Sequence, residues 1–302
     1  MRLVFFAISL LAGLTVVYTR SLESVSDDDL LNLIKTEDNV VVLFTKNNCD
    51  GCEELETIVE NLQDDLEDSL KAVVVKSHNS PMVSIYDPTK EPSLIYFRRG
   101  IPLLYHGKTN EDEILHVFTE NQDPAVKELS DANFEHLTQA ATGATTGDWF
   151  VFFYSNDCVP CQRLYAIWES VGAALKRRMN VARVNRLEAG ISTAKRFNVK
   201  KSPEFILLRQ GKFHRYRSTE YSPGAFLQFA EGGYSRDKGE TVPPVGNNIN
   251  EYLTIPLDFV LNRPYLLLFG AVGFGLTIAT ALLAKWMSSK KTKTVQKSKK
   301  AK

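Results

Sequence analysis

All four cysteines of this 302-residue sequence occur in two Cys-x-x-Cys pairs, Cys49 with Cys52 and Cys158 with Cys161. Thiol–disulfide exchange needs an attacking thiolate and a second thiol nearby that resolves the mixed disulfide, and each pair offers both. No cysteine is left over for a structural disulfide outside the pairs. The sequence therefore predicts two redox sites that work without a cofactor.

Two other uses of the cysteines compete with redox chemistry. A four-cysteine zinc site usually has roughly 15–20 residues between its pairs, whereas 105 residues separate these two, and we expect no metal site. Disulfides that only staple the start of a helix are the stronger alternative. That alternative applies more to the first pair, because the acidic residues around it oppose formation of a thiolate.

The elements around the two pairs are alike. Continuous apolar runs, residues 40–44 and 149–154, precede the pairs and are typical of strands buried on both faces. Apolar residues at helical spacing follow the pairs, which predicts that the first cysteine of each pair lies at a helix N-terminus. Because the helix dipole and free backbone N–H groups lower the pKa of a thiol there, we assign the first cysteine as the nucleophile and the second as the resolving thiol.

The two copies also begin and end alike. Ser26 and Ser130 precede apolar-periodic runs and are predicted N-caps of helices. Pro92 and Pro203 are each followed by an apolar run and then by a glycine. This predicts strands that begin at the proline, one of the few sheet positions that proline tolerates. The chain is thus predicted to contain an internal α/β repeat.

A strand, Cys-x-x-Cys at a helix N-terminus and an X-Pro strand about 40 residues later resemble a thioredoxin domain. Two in tandem, here called the first repeat (residues 21–124) and the second repeat (residues 125–233), resemble the protein disulfide isomerase family and its transmembrane thioredoxin-related members. The resemblance implies a central mixed sheet flanked by helices in each repeat. It also implies that Pro92 and Pro203 are cis prolines that face the cysteines and, with Ser202, help to hold an extended substrate.

The sequence departs from that family at two positions in each repeat. The buried acid six residues before the first cysteine, which in the family helps to remove a proton from the resolving thiol, is replaced by Leu43 and Phe152. The aromatic residue that usually precedes the first cysteine is replaced by Asn48 and Asp157. We therefore expect slow turnover.

The 36 basic and 36 acidic residues cancel overall but are unevenly distributed. The first repeat has 8 basic and 22 acidic groups, whereas residues 125–240 have 17 and 12. Asp50 and Glu91 are among the acids expected near the first pair, where like charge raises the pKa of a thiol. The second pair is expected to have Lys200 and Lys201 nearby, so we predict that it is the more reactive.

Both ends of the chain carry targeting patterns. Residues 1–20 have a basic residue and a short apolar run, which predicts a cleaved signal peptide, with a retained signal anchor as the alternative. Residues 265–284 contain no charged residue and are long enough to cross a bilayer as a helix. The positive-inside rule places the basic tail, residues 285–302, in the cytosol, with residues 234–264 as a flexible luminal stalk.

The predicted topology is that of a single-pass type I membrane protein. Lys299 and Lys300 resemble the dilysine signal that returns such proteins to the endoplasmic reticulum, which implies a location in that membrane. Ala271, Gly275 and Ala279 form a ladder of small residues, a weak indication of a helix–helix dimer.

The sequence thus predicts a membrane-anchored thiol–disulfide oxidoreductase or isomerase that acts on cysteine-containing clients folding in the endoplasmic reticulum lumen. The alternative is a redox-poor membrane adaptor or chaperone that binds clients through the surface around Pro92 and Pro203. Nucleic-acid binding is not expected, because the only strongly basic block follows an apolar segment.

Overall fold

The computed structural model describes residues 21–87, 91–143 and 146–246, which contain two β-sheets flanked by helices. The first sheet and its helices are β1 (Glu23–Ser24), α1 (Asp27–Thr36), β2 (Asn39–Thr45), α2 (Cys52–Leu70), β3 (Val73–His78), α3 (Val83–Tyr86), β4 (Ser93–Arg98), β5 (Ile101–Leu104) and α4 (Glu111–Glu120). The second sheet and its helices are β6 (Lys127–Leu129), α5 (Phe134–Thr138), β7 (Trp149–Tyr154), α6 (Val159–Gln162), α7 (Tyr165–Leu175), β8 (Asn180–Asn185), α8 (Ile191–Arg196), β9 (Glu204–Arg209), β10 (Lys212–Arg215), α9 (Pro223–Glu231) and β11 (Glu240–Thr241).

Both sheets have the same strand arrangement at their centre. The order is β1-β3-β2-β4-β5 in the first and β11-β10-β9-β7-β8-β6 in the second. The central strands β2 and β7 each have a parallel neighbour, β3 or β8, and an antiparallel neighbour, β4 or β9. This confirms the predicted α/β thioredoxin-like fold with mixed sheets. The second sheet carries one additional edge strand, β11.

The central strands are apolar throughout because both faces of each sheet are covered. In β2, Val40, Val42 and Phe44 pack into one core, whereas Val41 and Leu43 pack into another on the opposite face. All five side chains are fully buried. Helix α2 contributes its apolar face to the second of these cores, as its helical spacing predicts.

Helix α7 of the second repeat is buried around most of its circumference because it also contacts the first repeat. It packs against β5 as well as against α9 and β8. One core cluster consequently contains Ile95 and Leu104 of the first repeat together with Phe150 and Trp168 of the second. The described residues up to Pro244 form one compact unit, so the two repeats share a core.

A buried ion pair joins the repeats beside the segment that connects them. Arg98 Nη2 donates to Glu169 Oε2 at 2.9 Å, and the two side chains are 0% and 3% exposed. The backbone N–H groups of Ala125 and Val126 also donate to the Glu169 carboxylate, and Arg98 donates to the carbonyl oxygen of Asn121. Both charges therefore have the additional hydrogen bonds that a buried ion pair needs.

The structure confirms one of the two predicted helix caps. The Ser26 side chain accepts from the Asp29 N–H at the start of α1, but Ser130 does not cap a helix. Helix α5 begins at Phe134, with Asn133 at the cap position. The Asn133 side chain instead accepts from the Ser130 N–H at 2.7 Å, which closes a turn where the sequence pattern predicts a helix start.

The beginning of the predicted stalk is attached to the second sheet. Strand β11 pairs with β10, Val242 is buried in the core, and Arg196 Nε donates to the Pro243 carbonyl oxygen at 2.8 Å. The glycines that suggest flexibility allow the chain to turn back, since Gly239 has a φ of +67° and leaves no room for a Cβ atom beside His214. Residues 240–243 of the predicted stalk therefore belong to the second sheet and its core.

Other predictions concern residues outside the described part of the chain. These are the signal peptide (residues 1–20), the part of the stalk from residue 247 onward, the membrane span with its ladder of small residues (residues 265–284) and the basic tail with Lys299 and Lys300. Within the described ranges, no helix combines the length and the apolar character that crossing a membrane requires.

Candidate active site

The two cysteine pairs occupy equivalent places, just after the central strands β2 and β7. Each pair forms a disulfide, Cys49 with Cys52 and Cys158 with Cys161. In both, the first cysteine is partly exposed and the second is buried, Cys52 at 7% and Cys161 at 0% exposure. The first cysteine of each pair is therefore more accessible from outside the protein than the second, as the assignment of Cys49 and Cys158 as nucleophiles requires.

In the second site the first cysteine is itself the N-cap of a helix. Helix α6 begins at Val159, and the Cys161 N–H lies 3.2 Å from Cys158 Sγ as a hydrogen-bond donor. A thiolate at this position is stabilised by that N–H group and by the positive end of the helix dipole. The predicted location of Cys158 at a helix N-terminus is confirmed.

In the first site the helix begins two residues later, relative to the first cysteine, than in the second site. Helix α2 starts at Cys52 after Gly51, which has a left-handed φ of +79° and provides no side-chain cap. Cys49 consequently precedes the helix and does not cap it. The third motif residue explains the difference, because glycine adopts a positive φ freely, whereas Pro160 is fixed near a φ of about −65° and fits a first helical turn.

The residue before the cis proline has an ion-pair partner in the first site and hydrogen-bond partners in the second. The Glu91-Pro92 and Ser202-Pro203 peptide bonds are both cis, as the resemblance implies. Glu91 pairs with Lys46 at 3.0 Å. Ser202 Oγ instead accepts from Ser155 Oγ at 3.4 Å and from a nearby arginine at 2.8 Å.

That arginine, Arg186, is a site residue that the sequence prediction missed. It follows strand β8, where its N–H donates to the Tyr154 carbonyl oxygen at 2.8 Å, and its guanidinium Nε donates to Ser202. Asn79 holds the equivalent position in the first repeat, since its N–H donates to the Thr45 carbonyl oxygen at 2.8 Å. Arg186 follows β8, the strand parallel to the central strand β7, and this location is the sequence signal that could have identified it as a site residue.

Apolar side chains occupy the two positions at which the resembling family has a buried acid. Each of them has a basic residue opposite it on the neighbouring strand. Leu43 and Phe152 are fully buried, and their cross-strand partners are Lys76 and Arg183. Both cations have carboxylate partners elsewhere, from helix α2 and strand β6 respectively. No carboxylate therefore occupies the position from which the family's acid acts.

The partner of Arg183 is Glu128, which belongs to a network beneath the second site. Tyr154 OH donates to Glu128 Oε1 at 2.8 Å, and the guanidinium of Arg183 lies 4.9 Å from the ring centre of Tyr165. Burial, with a contribution from the hydrogen bond to Glu128, raises the pKa of Tyr154. The tyrosine therefore stays protonated and keeps donating at neutral pH.

The excess of negative charge at the first site is smaller than the sequence suggests. Glu56, four residues after Cys52, pairs with Lys76, and Glu91 pairs with Lys46, so both carboxylates are neutralised. Asp50 and its helix neighbours Glu53 and Glu54 remain exposed. In the described residues, no group of three or more His, Cys, Asp or Glu side chains is placed to hold a metal ion.

Comparisons with known proteins give one family match, which falls in the second repeat, and several similar proteins. Residues 125–229 match the family model described as Thioredoxin. Over 115 residues the chain is 40% identical to a thioredoxin domain-containing protein of Theileria parva, which covers 38% of this chain and 52% of that protein. It is also 24% identical over 200 residues to protein disulfide-isomerase A4 of Rattus norvegicus, covering 62% of this chain and 30% of that protein.

Among solved structures, full-length ERdj5 is similar over 71% of this chain and 31% of its own, with 18% sequence identity and a TM-score of 0.42. The chain spans about half of the Theileria protein and about a third of the rat isomerase.

Proposed function

We propose that this protein is a thiol–disulfide oxidoreductase that acts on cysteine-containing client proteins, mainly through Cys158 and Cys161. The observation that carries the proposal is the position of Cys158 as the N-cap of α6, with the Cys161 N–H directed at its sulfur. Hydrogen bonds to an ionised acceptor are stronger than those to a neutral one, so this arrangement favours the thiolate that attacks.

The exchange follows from the two sulfurs and balances without a cofactor. The Cys158 thiolate attacks one sulfur of a client disulfide, and the other client sulfur leaves as a thiolate that takes up a proton. Cys161 then loses its proton and attacks Cys158 Sγ, which breaks the mixed disulfide and releases the first client sulfur. Two electrons pass from the protein dithiol to the client, and the reverse sequence oxidises a client dithiol.

Isomerase activity is part of the proposal. When a second thiol of the client attacks the mixed disulfide before Cys161 does, the client's own disulfides are rearranged and Cys158 leaves as a thiolate. The absence of a carboxylate at the Phe152 position favours this outcome, because deprotonation of Cys161 is then unassisted. Clients would be held in extended form beside Ser202 and Pro203, and Pro92 has the equivalent place in the first repeat.

We further propose the cellular arrangement that the sequence predicts. The two repeats would lie in the endoplasmic reticulum lumen, anchored by residues 265–284, with Lys299 and Lys300 as a retrieval signal. Protease protection in microsomes and localisation of a Lys299→Ser, Lys300→Ser variant test this part. Digestion of the repeats in intact microsomes would overturn the topology.

The enzymatic proposal is tested by insulin reduction with the full-length chain. We expect wild-type activity, loss of most of it in Cys158→Ser, and retention of more than half in Cys49→Ser. An inactive wild-type protein would exclude the proposed enzyme, and a larger loss in Cys49→Ser would reverse the order of the sites.

A client-binding adaptor is the second candidate function. The observation in its favour is the fully buried, apolar character of Leu43 and Phe152, which removes the assisting acid from both sites. If the wild-type chain binds unfolded insulin chains but does not reduce them, and Cys158→Ser binds equally well, the adaptor is the better description.

A further inference from the structure

The surface beside Cys158 carries a cation that no carboxylate of the described residues neutralises. The guanidinium of Arg186 donates to the neutral hydroxyl of Ser202 at 2.8 Å. Ser202 also accepts from Ser155, whose carbonyl oxygen accepts from the Cys158 N–H at 3.1 Å. This chain of contacts fixes the charge next to the loop that carries the nucleophile.

The neighbours of Arg186 add to a surface that is basic and apolar. Val159, directly after Cys158, and Leu187, directly after Arg186, are 58% and 46% exposed. Lys200 and Lys201 are exposed immediately before Ser202. Such a surface complements a client segment that has apolar residues and a negative charge near its cysteine.

Carboxylates near the second site do not reverse this charge. The Glu188 carboxylate accepts from the side-chain amides of Asn156 and Asn185 at 2.7 and 3.1 Å, and Asp157 is exposed. The cations on this surface are more numerous. They are Arg163, Arg186, Lys200 and Lys201.

The first site lacks the arginine of the second site, because the position equivalent to Arg186 holds the neutral Asn79. Lys46 is paired with Glu91. Among the residues that the structure describes, the unpaired exposed charges next to Cys49 in the chain are acidic. They are Asp50, Glu53 and Glu54.

We infer that the second site selects client segments with a carboxylate beside the attacked disulfide, and that Arg186 is the residue that sets this preference. The inference rests on the proposed function, since it concerns which disulfides Cys158 attacks. Charge pairs at partly exposed surfaces typically change affinity by a few-fold. We therefore expect a preference of about five-fold for an acidic over a basic client.

The test uses the full-length chain with Cys49→Ser and Cys52→Ser, so that only the second site reacts. The probes are two disulfide-linked peptide homodimers that differ only in the residues beside cysteine, Glu-Cys-Glu or Lys-Cys-Lys. Flanking charge alters the intrinsic reactivity of a disulfide. Each rate with the reduced protein is therefore divided by the rate with dithiothreitol.

Three substitutions at Arg186 separate charge from structure. Arg186→Lys should keep most of the acidic preference, Arg186→Gln should lower it at least about two-fold, and Arg186→Glu should lower it further. Arg217→Gln removes an arginine elsewhere on the second repeat, exposed and paired with Asp237 at 3.5 Å, and should leave the preference unchanged. Because surface ion pairs are screened by salt, about 1 M KCl should bring the ratio towards one.

The possible outcomes separate the inference from the proposed function. Equal normalised rates for the two peptides, or a preference for the basic one, would overturn the inference while leaving the proposed function intact. Equal slowing of both peptides by Arg186→Gln would also overturn it, because Arg186 would then only maintain the loop. Failure of the wild-type second site to react with either peptide would remove the proposed function itself.

Discussion

The two Cys-x-x-Cys sites occupy the same place in the same fold, but the helices that follow them begin at different residues. In the second site Cys158 caps α6, whereas in the first α2 starts only at Cys52, after Gly51 in the left-handed region. Proline at position 160 and glycine at position 51 account for this. The spacing of the cysteines therefore does not determine the thiol environment, and the residue before the second cysteine decides it.

Both sites are held in one folded unit, and Glu169→Ala should weaken that unit. Its removal leaves Arg98 charged and buried without its partner, which we expect to lower the free energy of unfolding by about 3–5 kcal/mol. Chemical denaturation followed by fluorescence should still show a single transition. Arg177→Ala, which removes an exposed ion pair with Glu120, should change stability by no more than about 0.5 kcal/mol.

Two separate transitions in Glu169→Ala, with the second repeat unaffected, would contradict the shared core. The two sites would then have to be compared as independent domains.

Exchanging the two residues between the cysteines of one motif for those of the other should reverse the order of the alkylation rates of Cys49 and Cys158. Val159→Asp with Pro160→Gly should slow alkylation of Cys158 at pH 7 by about ten-fold, which corresponds to about 1.4 kcal/mol of lost thiolate stabilisation. Asp50→Val with Gly51→Pro should accelerate alkylation of Cys49, because the helix can then start before Cys52. Rates are read for each cysteine by mass spectrometry after reduction, and unchanged rates in both variants would show that the motif residues do not control reactivity.

The charge before the first site's proline should have a smaller effect. Glu91→Gln leaves Lys46 without its partner and removes one acid near Cys49, so we expect alkylation of Cys49 to become about two- to three-fold faster. Asp68→Asn, at the far end of α2, is the matched control and should leave the rate unchanged. A slower reaction in Glu91→Gln would mean that the ion pair with Lys46 supports the site in some other way.

The smallest of the expected effects is a dependence of stability on pH that arises from His214 in the second repeat. His214 is buried against the segment that ends in β11, and this burial lowers its pKa, with Asp237 opposing the shift. The unfolded chain therefore takes up the proton first as pH falls through about 6.5, and stability decreases below that pH. Thermal unfolding should show a fall in Tm between pH 7 and pH 5 that is reduced in His214→Gln. A fall of equal size in that variant would assign the effect to other groups.

Much of the fold follows from the sequence because its elements have strong local signals. The apolar runs at residues 40–44 and 149–154 become the central strands, and Pro92 and Pro203 precede β4 and β9. These runs are buried on both faces, which leaves few alternatives for their place in a sheet. The segment after α9 contains the glycines and prolines that are typical of a stalk. This composition gives no sign that Val242 is buried in the core.

The site is less predictable because its contacts join residues far apart in the chain. The place of Arg186 after β8 indicates that it lies near the site but not that its guanidinium meets Ser202. Nothing local to Glu169 indicates a partner in the first repeat. Likewise, the sequence predicts that the charge of Glu91 opposes a thiolate at Cys49, whereas in the structure Lys46 neutralises that charge. Charge sums over a segment cannot distinguish paired from unpaired groups.

The helix N-cap should make Cys158 a more reactive nucleophile than Cys49. Reduction of the full-length wild-type chain, followed by alkylation of each cysteine between pH 5 and pH 9 and mass spectrometry, measures this difference directly. We predict that Cys158 reacts at least about five-fold faster than Cys49 at pH 7, with the difference disappearing at high pH as both thiols ionise. Equal rates at pH 7, or faster reaction of Cys49, would contradict the role of the N-cap.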